Sequence, residues 1–572
     1  MGIPIADAPN IEIIYGQAGS GKTEEAVRRY AECVSDHGED AALLIVPTAR
    51  VVRQVRERLV DEGRPPGLVD PRIFTFPQLA QIILNANHEC ATPIGGAMQR
   101  LLIGEVIDSL IADGELVELA DVARLPGFAV ALMELVSDLK RGAVEPRPFC
   151  HALAQAGLNE TWRGEISKLY CAYQWMLICL RYFDDEGVFW WARGVLRDGG
   201  RRPLEQTRLM VVDGFTDFTT TQLQMLQLLA EGIPRTVVTL DYAEHDEREG
   251  LAQWFGDTVE RVRDHLPGAA IHPLPGGIAP NALGHLRGTV FSPPGKVEPV
   301  PADGRVHVLD CPTRFREVRE VLRRVKGLLV EGQASPGEIA IICRSVSGRA
   351  DAIRSTAARM GVPVYVEAAR SPATNPAVRA VLQAYEVVAG GYRRADVVDL
   401  LRSSYLTLEP LLARHLTADD VACVAAEALV LEGRRQWAER LSALEARLRE
   451  REEYRASIDD DGMPRPSGTA AALVAEVSAS VAALFDILPA HGTGLTRLER
   501  VAETRELIAV TRLREGLERP EMRRRASEDI RAIEQLGSAL DALEHAREAR
   551  GPSGGLPPGE YLALLREVLE DL

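Results

Sequence analysis

Eight residues near the start of the chain, Gly16-Gln17-Ala18-Gly19-Ser20-Gly21-Lys22-Thr23, have the spacing GxxxxGK[ST] and follow directly on the apolar run IEIIY. In a strand–turn–helix setting that pattern binds phosphate. The glycines let backbone N–H groups wrap a β-phosphate, the helix N-terminus favours the anion, lysine reaches the β- and γ-phosphates, and the threonine hydroxyl ligates Mg²⁺. Gly16, Gly19, Ser20, Gly21, Lys22 and Thr23 are therefore the expected nucleotide ligands. The structural alternative is a glycine-rich turn that binds nothing. Lysine scarcity speaks against it, because the chain has only five, at 22, 140, 168, 296 and 326. A P-loop also needs a carboxylate at a neighbouring strand end to hold Mg²⁺. Asp213, closing LMVVD, supplies one, although an aspartate there can also be a simple turn former.

These residues need elements to position them. Short β-branched runs alternate with helical segments from residue 11: IEIIY, a helix from Gly21, ALLIVP, a helix through VVRQVRERL, then RIFTF. Such alternation predicts a parallel α/β sheet. From about 96 to 204 apolar residues recur at helical spacing, which predicts a helical insertion. Strand patterns resume at LMVVD and TVVTLDY, so the first domain is discontinuous, 1–95 with 205–266. Residues 267–304 carry eight prolines and seven glycines and read as a linker. A second α/β region follows over 305–375, with strands expected at RVHVLDC, EIAIICR (338–344) and PVYVEA (363–368). The remainder, 376–572, reads as helical and is broken by the polar turns at 459–468 and 551–559.

Of the 572 residues, 66 are basic and 83 acidic, giving a net charge of −17, so any nucleic-acid contact must use segregated basic surfaces. Two stretches, 314–326 and 512–525, each carry six basic residues; a solvated helix face is the commoner meaning of such runs. The eight cysteines show no CxxC spacing, which argues against a zinc site or a disulfide framework. No apolar run approaches the roughly 20 residues of a membrane helix, and a cytoplasmic location without membrane contact is expected.

The P-loop, LLIVPTARVVRQV, RIFTFPQLAQIIL, the helical insertion, VVDGFTDFTTTQ and REVREVLRRVKGLLVEGQASPGEIAIICRS occur in an order that resembles the AddB-type subunit of the ATP-dependent helicase/nuclease AddAB, functional counterpart of RecBCD. That family is related to superfamily 1A helicases similar to UvrD and Rep. The resemblance implies a RecA-like P-loop domain with a 1B-like insertion at 96–204, the start of a second RecA-like domain at 305–375 and a 2B-like helical domain at 376–572. ATP and Mg²⁺ are the implied cofactors. DNA ends, single-stranded and duplex, and an AddA-type helicase/nuclease subunit are the implied partners. Carried over by position, Thr48, Thr75 and Phe76 resemble DNA-contacting residues, with core packing the competing expectation for Phe76. Asp213 resembles the metal carboxylate, Gln222 the glutamine that senses the γ-phosphate, and Arg344 the arginine offered by the second domain.

The sequence also departs from this pattern. Active helicases of the superfamily place Glu after the metal Asp to orient water, whereas this chain has Gly214; Asp217 lies three residues further on. The adenine-reading glutamine motif ahead of the P-loop and the two closing helicase motifs are not recognisable. No lysine follows Lys326, so an ExK nuclease motif is not expected here, and Cys343 and Cys423 are too few for a four-cysteine iron–sulfur site. The expectation is a weak or inactive motor without nuclease activity or an iron–sulfur cluster. A DNA-binding scaffold with a vestigial nucleotide site and an unrelated P-loop phosphotransferase are the alternatives.

Overall fold

Near-continuous apolar runs suit strands buried on both faces, and IEIIY, ALLI, LMVV and TVVTL take that role. The computed structural model describes residues 10–61, 67, 69–89, 91–155, 161–242, 249–274, 281–292, 295, 297–301, 303–346, 348–367, 371–405, 416–457, 470–492, 494–513, 526–545 and 555–570. Among them lie eight strands, β1 (Asn10–Gly16), β2 (Ala42–Ile45), β3 (Ile73–Phe74), β4 (Thr92–Pro93), β5 (Tyr182–Phe183), β6 (Leu209–Val212), β7 (Arg235–Asp241) and β8 (Ala270–Pro273). Six of these form one parallel sheet in the order β3-β2-β6-β7-β1-β8, while β4 and β5 pair separately. The register sets Gly16 opposite Asp241 on the neighbouring strand.

Alternate residues feed two cores. On one face Ile13, Leu43, Met210 and Val238 pack with α3 (Phe76–Ala86) and with residues further along the chain, including Phe189 and Leu226. On the other, Ile14, Leu44, Val211 and Val237 meet Val27 and Tyr30 of α1 (Lys22–His37) and Val52 and Val55 of α2 (Ala49–Asp61). The insertion between β3 and β6 contributes α4 (Gly96–Ala112), α5 (Ala120–Ala123), α6 (Pro126–Arg141), α7 (Pro146–Gln155), α8 (Thr161–Leu180) and α9 (Gly187–Arg197). Lys140 is completely buried there, its Nζ 2.6 Å from Asp184 Oδ2, which also accepts the Tyr173 hydroxyl at 3.0 Å. The sheet is completed with α10 (Thr220–Ala230) and α11 (Glu249–His265).

The chain divides into two compact units, residues 1–94 with 106–368 and residues 95–105 with 369–572. The start of the expected 96–204 insertion thus groups with the second unit.

Residues 267–304 are more than a linker. They hold β8, which pairs with β1, and α12 (Ala282–Thr289). Proline and glycine concealed these elements because both are short, and the proline ending β8 sits on the outermost strand, where a missing N–H is tolerated. Conversely, residues 305–311, 339–344 and 363–367 pair with no strand among the described residues. They flank α13 (Arg314–Val330) and α14 (Ala350–Met360), whose core of Val318, Leu322, Ile353 and Ala357 is met by Ile339, Cys343, Val364 and Val366. Val308 and Ile342 remain 93% exposed, whereas parallel strands require cover on both faces.

The second unit is helical: α15 (Pro376–Ala389), α16 (Arg394–Leu401), α17 (Ala418–Glu427), α18 (Arg434–Ser457), α19 (Ala471–Ile487), α20 (Arg497–Val510), α21 (Ala526–His545) and α22 (Pro558–Glu570). Tyr385, Trp437, Val474 and Leu536 lie in its core. A fully buried arginine, Arg500, donates to the Leu556, Ala490 and Gly492 carbonyls and to Glu503. The turn at 459–468 and most of the stretch 512–525 lie outside the described residues. The other basic stretch is α13, which buries Val318 and Leu322 and pairs Arg323 and Arg324 with Glu320. No described helix is long and apolar enough to cross a membrane.

Candidate nucleotide site

Two glycines of the loop between β1 and α1 adopt left-handed backbone, Gly19 at φ 78° and Gly21 at φ 89°, a region costly for residues with a Cβ. Gly16 is required for space: a Cβ there would lie 2.6 Å from both the Leu274 carbonyl oxygen and Ser20 Oγ. Lys22, at the first position of α1, turns its ammonium back over the loop. It donates to the Gly16 carbonyl at 2.7 Å and the Gln17 carbonyl at 2.9 Å, and meets Asp241 Oδ1 at 2.8 Å. All three of its N–H donors therefore have an acceptor.

Asp213 follows β6 and is only 3% exposed. Its N–H donates to the Ile45 carbonyl at 3.0 Å, and its Oδ1 accepts the Thr239 hydroxyl of β7 at 2.5 Å. Lys22, Thr23, Asp213 and Asp241 all line one cavity of about 320 Å³. Strand order explains the convergence, since β7 lies between β1 and β6 and the three strands end at the same edge. The cavity has the features a bound triphosphate and Mg²⁺ require. Ser20 Oγ, beside the loop, is buried without a hydrogen-bond partner among the described residues, and Thr23 and Asp213 present oxygen donors of the kind Mg²⁺ takes.

Sequence reasoning missed Asp241. Its signal was present, because TVVTLD ends in aspartate just as LMVVD does. Gly214 has φ 85°, so the residue after the metal-type aspartate sits where a glutamate would be strained, and a Cβ would approach Pro47 Cδ to 3.3 Å. Asp217 is engaged elsewhere, accepting from Arg261 at 2.8 Å and from the Phe218 N–H at 2.7 Å.

The other expected site residues are not gathered in this cavity. Gln222 forms a capping box at the start of α10: its Oε1 accepts the Thr219 N–H at 3.0 Å and its own N–H donates to Thr219 Oγ1 at 3.2 Å. Thr75 and Gln78 make the same reciprocal pair at the start of α3. Phe76 is 1% exposed and packs edge-on against Phe215 and Phe218 at 5.2 and 6.2 Å, the arrangement of a core ring. Thr48 is exposed just ahead of α2 and accepts the Val51 N–H at 3.3 Å. Arg344 is exposed in the unpaired 339–344 segment and does not line the cavity. A larger cavity of about 650 Å³ in the helical unit contains Tyr392, Phe485 and Glu503, but its Arg434 is paired with Asp486 and its Glu503 with Arg500.

Residues 13–266, which contain every residue of the P-loop site, match the family described as "ADDB, N-terminal". This part of the chain is AddB-like. Among curated AddB relatives, a protein of Desulforamulus reducens is 22% identical over 436 residues, covering 71% of this chain and 37% of its own length. One of Heliobacterium modesticaldum is 24% identical over 440 residues, 71% of this chain and 35% of the relative. One of Symbiobacterium thermophilum is 23% identical over 439 residues, 71% and 37%. All three are named as a subunit of an ATP-dependent helicase/deoxyribonuclease. The AddB match therefore spans well under half the length of these relatives.

Proposed function

We propose that this chain binds ATP with Mg²⁺ at the P-loop and serves as a helicase-like subunit of a complex that processes DNA double-strand ends during recombinational repair. Its partners are DNA ends, single-stranded and duplex, and an AddA-type helicase/nuclease subunit. The observation that carries this reading is the convergence of Lys22, Thr23 and Asp213 on one cavity in a chain whose relatives are named as a subunit of an ATP-dependent helicase/deoxyribonuclease. In this reading the six-stranded unit is RecA-like, 305–375 stands in the place of a second such domain although its described residues pair no strands, and 376–572 corresponds to a 2B-like domain.

The loop amides and Lys22 hold the polyphosphate, with Lys22 exchanging Asp241 for phosphate as an electrostatic partner. Thr23 and Asp213 hold Mg²⁺, whose charge offsets that of the phosphates. Turnover is slow. Losing a water-orienting base costs on the order of 10²–10⁴ in rate, and Gly214 offers none while Asp217 is engaged by Arg261. Calorimetric titration of ATP with Mg²⁺ tests the reading: micromolar-range binding by the wild type and its loss in Lys22→Ala is the expected result, and equal affinity in both refutes it.

The ion pair between Lys22 and Asp241, together with a backbone at Gly214 that would strain a glutamate, also favours a second reading, a DNA-binding scaffold whose nucleotide site is vestigial. The same titration separates the two, because the scaffold binds DNA without measurable ATP affinity.

A further inference from the structure

One cation reaches the P-loop from outside the motif. After β8 the Leu274 N–H donates to the Tyr15 carbonyl at 2.7 Å, which lays the chain alongside the phosphate loop. The chain returns as α12, capped at its start by Asn281, whose Oδ1 accepts the Gly284 N–H at 2.9 Å. Asp303 accepts the Ala282 N–H at 3.0 Å and ties the same helix start to the chain that follows. In the last turn of α12, Arg287 donates through Nη1 to the Ala18 carbonyl at 2.9 Å. The same nitrogen would stand 2.9 Å from a Cβ on Gly19. A guanidinium thus rests on Ala18 and Gly19, both of which line the nucleotide cavity.

Charge gives this placement its meaning. Among the described residues, Lys22 is the only cationic side chain lining the cavity, whereas three carboxylate residues, Glu24, Asp213 and Asp241, line it. A magnesium-bound triphosphate is itself net anionic, so one ammonium already paired with Asp241 leaves the site short of positive charge. Arginine stays charged at every accessible pH, and its planar fork of five N–H donors matches phosphate oxygens while still holding a carbonyl. We propose that Arg287 is a second cationic ligand for the polyphosphate of the nucleotide, delivered to the P-loop by α12. The proposal rests on the P-loop reading above and adds a consequence: occupancy of the site is coupled to the seating of residues 281–292 on the first domain.

The test uses the full chain and a fluorescent ATP analogue labelled on the ribose, with Mg²⁺, against wild type, Lys22→Ala, Arg287→Ala and Arg287→Gln. A charge-assisted hydrogen bond is worth enough to change affinity by roughly tenfold or more. Arg287→Ala and Arg287→Gln are both expected to weaken binding by that factor, with a reduced dependence of affinity on salt. Glutamine retains a donor for the Ala18 carbonyl without the charge, so wild-type affinity in Arg287→Gln overturns the proposal and makes the residue only a brace for the loop. This variant also keeps the test decisive if alanine disturbs folding. Loss of binding in Lys22→Ala with wild-type binding in both Arg287 variants refutes the role of Arg287 and leaves the P-loop reading standing. Unchanged binding in Lys22→Ala as well brings down that reading, and the proposal with it.

Discussion

Replacing Asp241 by asparagine should make the P-loop bind ATP more tightly. Lys22 Nζ is held by two backbone carbonyls and by Asp241 at 2.8 Å, so an incoming phosphate must displace one of them, and Asp241 is the only one carried on a side chain. The lysine side chain is 11% exposed and the aspartate 35%, which places the pair between a surface ion pair and a buried one. Surface pairs contribute about 0–1 kcal/mol and charge-assisted hydrogen bonds about 1.5–3 kcal/mol, so removing the competitor should favour nucleotide by about 1–2 kcal/mol. That is about a five- to thirtyfold lower Kd for ATP. Titration calorimetry at low salt measures it, and the gain should shrink as salt screens the partly exposed charges. In a Lys22→Ala background the same substitution should give no gain, since its effect runs through the ammonium. Weaker or unchanged binding by Asp241→Asn in the wild-type background would show that the ion pair persists with nucleotide bound, and the displacement idea would have to be dropped.

Steady-state phosphate release should stay below about 1 s⁻¹, the low end for working phosphoryl-transfer enzymes, with or without oligonucleotide. Gly214→Glu should not raise it, because a side chain at φ 85° costs about 1–2 kcal/mol of stability, visible as a lower Tm; turnover above that rate, abolished by Lys22→Ala, would contradict the slow-motor reading. Purified chain should leave linear duplex DNA intact with Mg²⁺ or Mn²⁺, and nuclease activity that follows the protein through successive columns would count against this. The Arg28 guanidinium beside Glu25 holds its carboxyl at about 2, below the ordinary 4.5, so the stabilisation is complete above pH 4.5 and is lost as pH falls towards 2. Glu25→Gln should therefore cost about 1 kcal/mol at pH 7 and flatten the acid limb of urea unfolding curves between pH 4.5 and 2. Arg500→Ala should destabilise the helical unit by about 3–5 kcal/mol in denaturant melts, since it takes the buried donor from three carbonyls and the counter-charge from Glu503, which keeps the Tyr385 hydroxyl and the Ala490 N–H as donors, while ATP binding is unaffected.

The P-loop and Asp213 were legible because their chemistry is local: a fixed spacing in one case and a strand ending in aspartate in the other. Asp241 ends a strand in the same way, but its importance depends on β7 lying beside β1, which strand order alone decides. Gln222 and Thr75 show a different ambiguity. Both belong to a T-x-x-Q pattern, Thr219 to Gln222 and Thr75 to Gln78, which is itself a signature of a helix start and is the role the structure gives them. Arg287 could not have been singled out, because nothing in a proline- and glycine-rich stretch indicates that a helix within it returns to the phosphate loop. The strands expected in 305–368 misled for a further reason: alternating apolar residues state a preference, and pairing needs a neighbour in register and cover on both faces.

The order in which the sheet can be assembled differs from the order in which it is synthesised. β1 leaves the ribosome first, yet its two neighbours are β7 and β8, with Asn10 opposite Arg235 and Glu12 opposite Ala270. Until more than two hundred further residues have emerged, the strand that carries the P-loop has both hydrogen-bonding edges open. Contacts of such sequence separation form slowly, and exposed apolar edges in the interval are where chains associate wrongly. During that time α5 can pack on α6 and α7 on α8, whereas α9 waits for the sheet core it joins, so the insertion delays closure of the domain it interrupts. Nascent chains halted before β7 should consequently be protease-sensitive at β1 and should recruit chaperones, whereas chains extended past β8 should acquire protection of β1, β6 and β7 together in a single late step.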